Sequence, residues 1–248
     1  GAEAAQELDR LGYGDAASGA QRLAGIRNGS RYQQMPPGIR ERFDALVPRL
    51  IAAAAATPNP DATLARGLDL LEAISRRAAY LALLQQYPQA LQKVAQLVSA
   101  SSWAATYLTR HPVLLDELLD ARLLEAVPDW AAFRAQLAQE LDEHEPDTER
   151  QMDMMREAHH AQVFRLLAQD LAGLLPLEKL SDHLSELADI MLGLALRLVW
   201  RKLLKRHRDE PAFAVVAYGK LGGKELGYAS DLDIIFLFED DHPDAPEI

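Results

Sequence analysis

Apolar positions recur at helical spacing along most of this chain, from Ala2 to about Arg208, with prolines as punctuation. Asn59 followed by Pro60 is a cap and first-turn signal, and Leu64, Leu68, Leu71 and Ile74 follow it on one helical face. Pro36-Pro37, Pro48, Pro88, Pro112, Pro128, Pro146 and Pro176 mark further starts, breaks or kinks, because proline lacks the amide that a helix interior needs. The clearest stripe is Leu180, Leu184, Leu187, Met191, Leu194 and Leu198. Its spacing of four and three predicts a helix from Pro176 to about Arg206, roughly 45 Å long at 1.5 Å per residue. Near Pro211 the period changes. Phe213 to Tyr218 is a continuous apolar run that reads as a buried strand, and Asp231 to Phe238 reads as a second, ended by Glu239, Asp240 and Asp241. The pattern therefore predicts a mainly α protein: a helical bundle over residues 1–208, then the first two strands of an α/β domain over 209–248. No fixed-period repeat of the solenoid kind is visible.

Composition narrows the function classes. With 248 residues, 49% apolar and 25% charged, the chain can bury a sizeable core. No window reaches the roughly 18 uninterrupted apolar residues of a membrane span, and the start lacks the charged-then-apolar order of a signal peptide. A cytoplasmic protein with no membrane partner is expected. The absence of cysteine excludes disulfides and thiolate metal sites. A net charge of −11 argues against the broad electrostatic attraction on which non-specific nucleic-acid binders rely, although a local nucleotide site remains compatible with it. Gly1 in place of Met reads as the start of an excised piece.

Candidate chemistry lies between the two predicted strands. Gly219-Lys220-Leu221-Gly222-Gly223-Lys224-Glu225-Leu226-Gly227 is not a Walker loop, being one residue short, with Glu225 where a hydroxyl should meet magnesium. It also lacks the spacing of a dinucleotide fingerprint. Glycines after a strand nevertheless suit close approach to phosphate, since they expose amides and remove side-chain obstruction. At the mouth of the second strand stands Asp231-Leu232-Asp233. Strand alternation puts two such carboxylates on one face, roughly 7 Å apart at Cα, where they suit magnesium or manganese holding a nucleoside triphosphate. A bare Asp-x-Asp is more often a surface turn; the combination with the glycine turn and the flanking strands is what makes it specific.

That combination resembles the signature of the DNA polymerase β-like nucleotidyltransferase superfamily. The ungapped string from Gly219 through Asp233, "GKLGGKELGYASDLD", resembles more narrowly the bacterial glutamine synthetase adenylyltransferases, and "SSWAATYLTRHPVLLDELLD", Ser101 to Asp120, resembles the helical sequence that precedes their catalytic domain. Such proteins carry one nucleotidyltransferase domain that adds AMP to a tyrosine of glutamine synthetase and one that removes it. "AYGKLGGKELGYASDLDIIFL" looks more like the adding copy, with the removing copy as the alternative. The resemblance implies that Asp231 and Asp233 are catalytic and bind Mg2+, and that ATP is the substrate. It implies that Gly219, Lys220, Gly222, Gly223 and Ser230 bind the nucleotide, and that glutamine synthetase and the PII signal protein are partners. The superfamily usually has glycine-serine where this chain has Gly219-Lys220, so Lys220 either supplies charge in place of a hydroxyl or is simply exposed. Ser230 either contacts a phosphate or caps its turn; Lys224 and Glu225 are expected to face solvent or pair locally.

Enzymes of this superfamily use a third carboxylate from a later strand. After Asp233 the chain offers Glu239, Asp240, Asp241, Asp244 and Glu247 in a proline-broken tail, so a truncated catalytic domain, inactive alone, is expected. Other candidates read as structural. His159 is expected on a buried stripe with Met152, Met155 and Val163, and adjacent His159 and His160 cannot both face one metal from a helix. Arg201, Lys202, Lys205, Arg206 and Arg208 complement a helix C-terminus more readily than they form a nucleic-acid patch. Two rival functions follow: a purely helical protein-interaction module, and a helical nucleic-acid binder, the latter disfavoured by the charge balance.

Overall fold

The computed structural model describes residues 2–119, 122, 126–204 and 208–238. Gly1, Asp120, Lys205, Arg206 and the tail carboxylates Glu239, Asp240, Asp241, Asp244 and Glu247 lie outside the described residues. The chain divides into two compact units, Gly1–Leu124 and Glu125–Ile248. The division falls inside the stretch that the apolar pattern reads as one helical bundle.

The first unit is helical. Its elements are α1 (Ala2–Arg10), α2 (Ala16–Asn28), α3 (Ser30–Gln33), α4 (Pro37–Ala55), α5 (Pro60–Ile74), α6 (Ala78–Gln86), α7 (Pro88–Ala100) and α8 (Ser102–Arg110), followed by a 3₁₀ segment, Pro112–Leu119. Proline sets three of the starts, at Pro37, Pro60 and Pro88, where its missing amide costs nothing. Asn59 is the N-cap of α5, but its side chain makes no capping bond. The predicted face of α5 is buried in full: Leu64, Leu68, Leu71 and Ile74. Pro48 neither breaks nor ends α4 and sits inside it, between the fully buried Leu46 and Leu50.

The second unit packs α9 (Trp130–Glu143), α10 (Thr148–Leu171) and α11 (Leu177–Lys202) on one another. Asp129 and Asp147 cap α9 and α10, accepting from the backbone amides of Ala132 and Arg150. The predicted stripe of α11 is its inner face. Leu180, Leu184, Leu187 and Leu194 are buried, and Met191 and Leu198 pack half-buried against the cluster of Leu137, Leu141, Met154, Ile190 and Leu194. The helix ends at Lys202, with its last-turn cations used locally: Arg197 and Arg201 both hold Asp142, and Lys202 donates to Thr148 Oγ1 and Gln151 Oε1 at 2.6 Å each. Gln151 is buried because its amide donates to the Leu141 carbonyl at 2.7 Å.

That bond corrects the expected stripe on α10. Met152 is 48% exposed, and the buried face runs instead through Gln151, Met154, Val163, Phe164 and Leu167, with His159 at its margin, half-buried. Burial lowers the His159 pKa from its ordinary value.

The strands follow: β1 (Phe213–Tyr218), a one-turn helix α12 (Gly219–Gly222) and β2 (Asp233–Phe238). β1 and β2 pair antiparallel, from Phe213 opposite Phe238 to Tyr218 opposite Asp233. Two expectations are corrected here. The second strand begins at Asp233, so Asp231 and Leu232 form its approach. Neither strand is fully buried: β1 alternates half-buried and exposed residues, and from Ile235 to Phe238 β2 is exposed. Apolar composition identified strands, but in this two-stranded sheet Ile235 to Phe238, which alternate between its two faces, are all at least half exposed.

Candidate active site

The turn that joins β1 to β2 is built from the residue types that its geometry demands. Gly219 leaves β1 at φ +58°, the left-handed region in which a side chain is costly. A Cβ there would lie 2.2 Å from Asp233 Oδ2 and 3.0 Å from its Cγ, so the Asp233 carboxylate rests directly on the space glycine leaves open. The strand register accounts for this closeness, since Asp233 stands opposite Tyr218, the residue before Gly219. At Gly222 a Cβ would come within 2.6 Å of the Ala217 carbonyl oxygen, so the turn folds back on β1 only with glycine there. Gly223 is under no such constraint, its nearest neighbour to a Cβ being the Gly219 oxygen at 3.4 Å.

Backbone bonds close the turn, from the amide of Gly223 to the Gly219 carbonyl at 3.0 Å and from that of Glu225 to the Lys220 carbonyl at 2.7 Å. Lys224 takes φ 53°, a left-handed conformation uncommon outside glycine. Leu221 and Leu226 are buried and pin the two ends of the turn, while Lys220, Lys224 and Glu225 are exposed. Thus Lys224 and Glu225 face solvent. Beyond Leu226 the chain makes a second turn, in which the Gly227 amide donates to Ser230 Oγ at 2.9 Å and the Ser230 amide to the Gly227 carbonyl at 3.1 Å. Of the two roles open to Ser230, the turn cap is present in the geometry. Asp231 then stands exposed, two residues before the half-buried Asp233.

The structure thus gathers Gly219, Gly222, Gly223 and Asp233 around one tight turn, with Lys220 exposed on it and with Ser230 and Asp231 on the approach to β2. Among the described residues neither the Asp231 nor the Asp233 side chain takes part in a hydrogen bond or ion pair, so their carboxylate oxygens carry no competing partner. A carboxylate seated against a side-chain-free cradle, with a second two residues before it in the chain, fits a hard divalent cation such as magnesium. Among the described residues no group of three or more histidine or carboxylate side chains converges as a metal cluster.

One residue of the motif has a partner that the motif does not reveal. Tyr228, half-buried in the middle of the loop, donates its hydroxyl to Asp170 Oδ2 of α10 at 2.8 Å. Burial, then the hydrogen bond and charge of Asp170, push the phenol pKa well above its ordinary value. The partners are far apart in sequence, and nothing in the local pattern signals the bond.

Comparison with known proteins bears on the family of the chain. The family model described as Glutamate-ammonia ligase adenylyltransferase matches residues 91–247, well over half of the chain. The chain is 70% identical over 241 residues to a bifunctional glutamine synthetase adenylyltransferase/adenylyl-removing enzyme of Aromatoleum aromaticum, covering 97% of this chain and 26% of that protein. Proteins of the same description from Chromobacterium violaceum and Ralstonia nicotianae are 58% and 53% identical over 97% and 98% of this chain, and 27% and 25% of their own lengths. The chain therefore spans about a quarter of the length of these relatives. No helix among the described residues is long and apolar enough to cross a membrane. The glycine turn seated on Asp233 and the family match over the same residues converge: the chain belongs to the glutamate-ammonia ligase adenylyltransferase family.

Proposed function

We propose that this segment opens the nucleotide site of an enzyme that transfers AMP from ATP to a tyrosine of glutamine synthetase, and so regulates nitrogen assimilation. The observation that carries the reading is the seat of the Asp233 carboxylate on Gly219, with Asp231 two residues earlier on the approach to β2. In the reaction the tyrosyl oxygen bonds to the α-phosphorus, the bond from that phosphorus to the bridging oxygen breaks, pyrophosphate leaves with the electron pair, and the phenolic proton passes to water. Gly219, Gly222 and Gly223 keep the turn free of side chains where the phosphates approach. Lys220 presents its ammonium from the same turn. Ser230 holds the approach to β2 in shape through Gly227, and its own hydroxyl proton is available to a phosphate oxygen. Asp231 and Asp233 hold magnesium, which when bound supplies the positive charge that offsets the triphosphate. Glutamine synthetase is the acceptor and the PII signal protein the regulatory partner, in the cytoplasm where ATP is plentiful.

The string "AYGKLGGKELGYASDLDIIFL" favours the adding half over the removing half. In the full-length enzyme, Asp231→Asn or Asp233→Asn is expected to lower AMP transfer from labelled ATP to glutamine synthetase by on the order of 100-fold or more. Phosphate-dependent release of AMP from the modified synthetase should be spared. Loss of release with transfer intact would assign this segment to the removing half. Near-normal rates of both at saturating magnesium would end the proposed roles.

A further inference from the structure

The loop that carries the proposed metal carboxylates meets the helices of its unit, among the described residues, through a side-chain bond from Tyr228. β1 and β2 pack on each other and on the short helix α12, and the outer residues of β2, Ile235 to Phe238, are exposed. The bonds between Gly227 and Ser230 shape the loop from within and attach it to nothing. Leu226 buries its side chain, but an apolar contact fixes depth more than direction. Tyr228 is different. Its hydroxyl leaves the loop and reaches Asp170 at 2.8 Å, and Asp170 stands on a well-anchored part of α10. Phe164, Leu166 and Leu167, within the preceding two turns, are almost completely buried. The neighbouring Gln169 is buried, and its amide donates to the Ala126 carbonyl at 2.9 Å. The helix end is closed by the amides of Gly173 and Leu174 at 2.9 Å from the carbonyls of Asp170 and Gln169.

We propose that Tyr228 is a positioning residue for the carboxylate pair: through Asp170 it fixes the loop to α10 and so sets where Asp231 and Asp233 stand. The inference rests on the reading of that pair as the metal and nucleotide ligands. Asp231 is three residues after Tyr228, at most about 10 Å of extended chain, so a fixed hydroxyl leaves Asp231 little range. A phenol donating to a carboxylate is a charge-assisted bond with a defined direction, and it orients the loop as Leu226 cannot. A movement of the C-terminal turn of α10 is then felt at the site through the Tyr228–Asp170 bond, which gives a helical segment outside the catalytic turn a means of modulating it.

The test uses Tyr228→Phe, which keeps the ring and removes the hydroxyl, and Asp170→Ala, which removes the acceptor, each made in the full-length enzyme and checked for unchanged helicity. Hydrogen exchange at the amides of residues 226–232 should accelerate by about tenfold in both. The double variant should be no faster than either single one. Binding of Mn2+–ATP, followed by the metal's paramagnetic signal, should weaken several-fold in both, against its loss in Asp231→Asn. Unchanged exchange in Tyr228→Phe would overturn the inference, as would faster exchange with undiminished Mn2+–ATP affinity. If Asp231→Asn itself leaves Mn2+–ATP binding intact, the reading of the site fails first and Tyr228's role falls with it; that result is distinct from a failure of Tyr228→Phe alone.

Discussion

Gly219 and Gly223 are four residues apart in one turn, yet they answer to different constraints, and the difference gives a sharp mutational contrast. Alanine at Gly219 meets two obstacles: a left-handed backbone at φ +58° and the Asp233 carboxylate 2.2 Å from the new Cβ. The backbone alone costs about 1–2 kcal/mol, and relief of the clash must move Asp233 off its seat. Gly219→Ala should therefore lower unfolding free energy by at least about 1 kcal/mol and weaken Mn2+–ATP binding together. Gly223→Ala has helical backbone and ordinary contacts, so its stability should stay within about 0.5 kcal/mol of the parent. Urea unfolding of the two variants side by side checks this; equal losses would mean that the Gly219 seat does not hold Asp233. The motif pointed to both glycines alike, because spacing along a chain does not say which one a later strand will press against. Asp233 was legible as a ligand candidate, but its contact with Gly219 needed the strand register.

At the scale of elements, the helices with one dominant apolar stripe were legible and the helix with a mixed surface was not. α5 and α11 bury the faces their sequences predict, since a continuous row of leucines leaves no choice of rotation. On α10 the row of Met152, Met155, His159 and Val163 looked sufficient. Polar bonding set a different rotation there: Gln151 is drawn inward by the Leu141 carbonyl, and Met152 is left outside. His159 stays half-buried at the edge, with its pKa lowered by burial. His111 and His183 are lowered as well, each first by burial, with Arg110 adding to the effect at His111 and, at His183, Lys179 adding and Asp182 opposing. All three favour the neutral ring in the folded chain. Their contribution to stability is complete above the unfolded value of about 6.5 and is lost as pH falls through the lower folded values. His159→Leu removes one of these groups. The variant should thus lose less stability than the parent between pH 7.5 and 5, measured by urea unfolding at each pH. A parallel loss in both proteins would show that His159 does not titrate as its burial requires.

At the scale of the whole molecule, two opposed forces meet on the hairpin. The chain carries a net charge of −11, which keeps copies apart. Against that, the described sheet has only two strands, and Val216, Ile235, Phe236, Leu237 and Phe238 are 43–61% exposed on it. Two-stranded sheets are marginal in water, and an uncovered apolar strand pair is a template for pairing with another chain. The balance should shift with salt: screening shortens the reach of charge repulsion to a few ångström near 1 M, while burial of the apolar face is not weakened. The purified chain is therefore expected to sediment as a monomer when dilute at low salt and to self-associate as salt and concentration rise. Phe236→Lys should suppress this, because it places a charge in the middle of the exposed run. If sedimentation velocity finds a monomer at every salt concentration, the exposed apolar residues of the strands are covered in solution. Phe236→Lys would then destabilise the chain instead of leaving its unfolding unchanged, because it would bury a charge against whatever covers the strand.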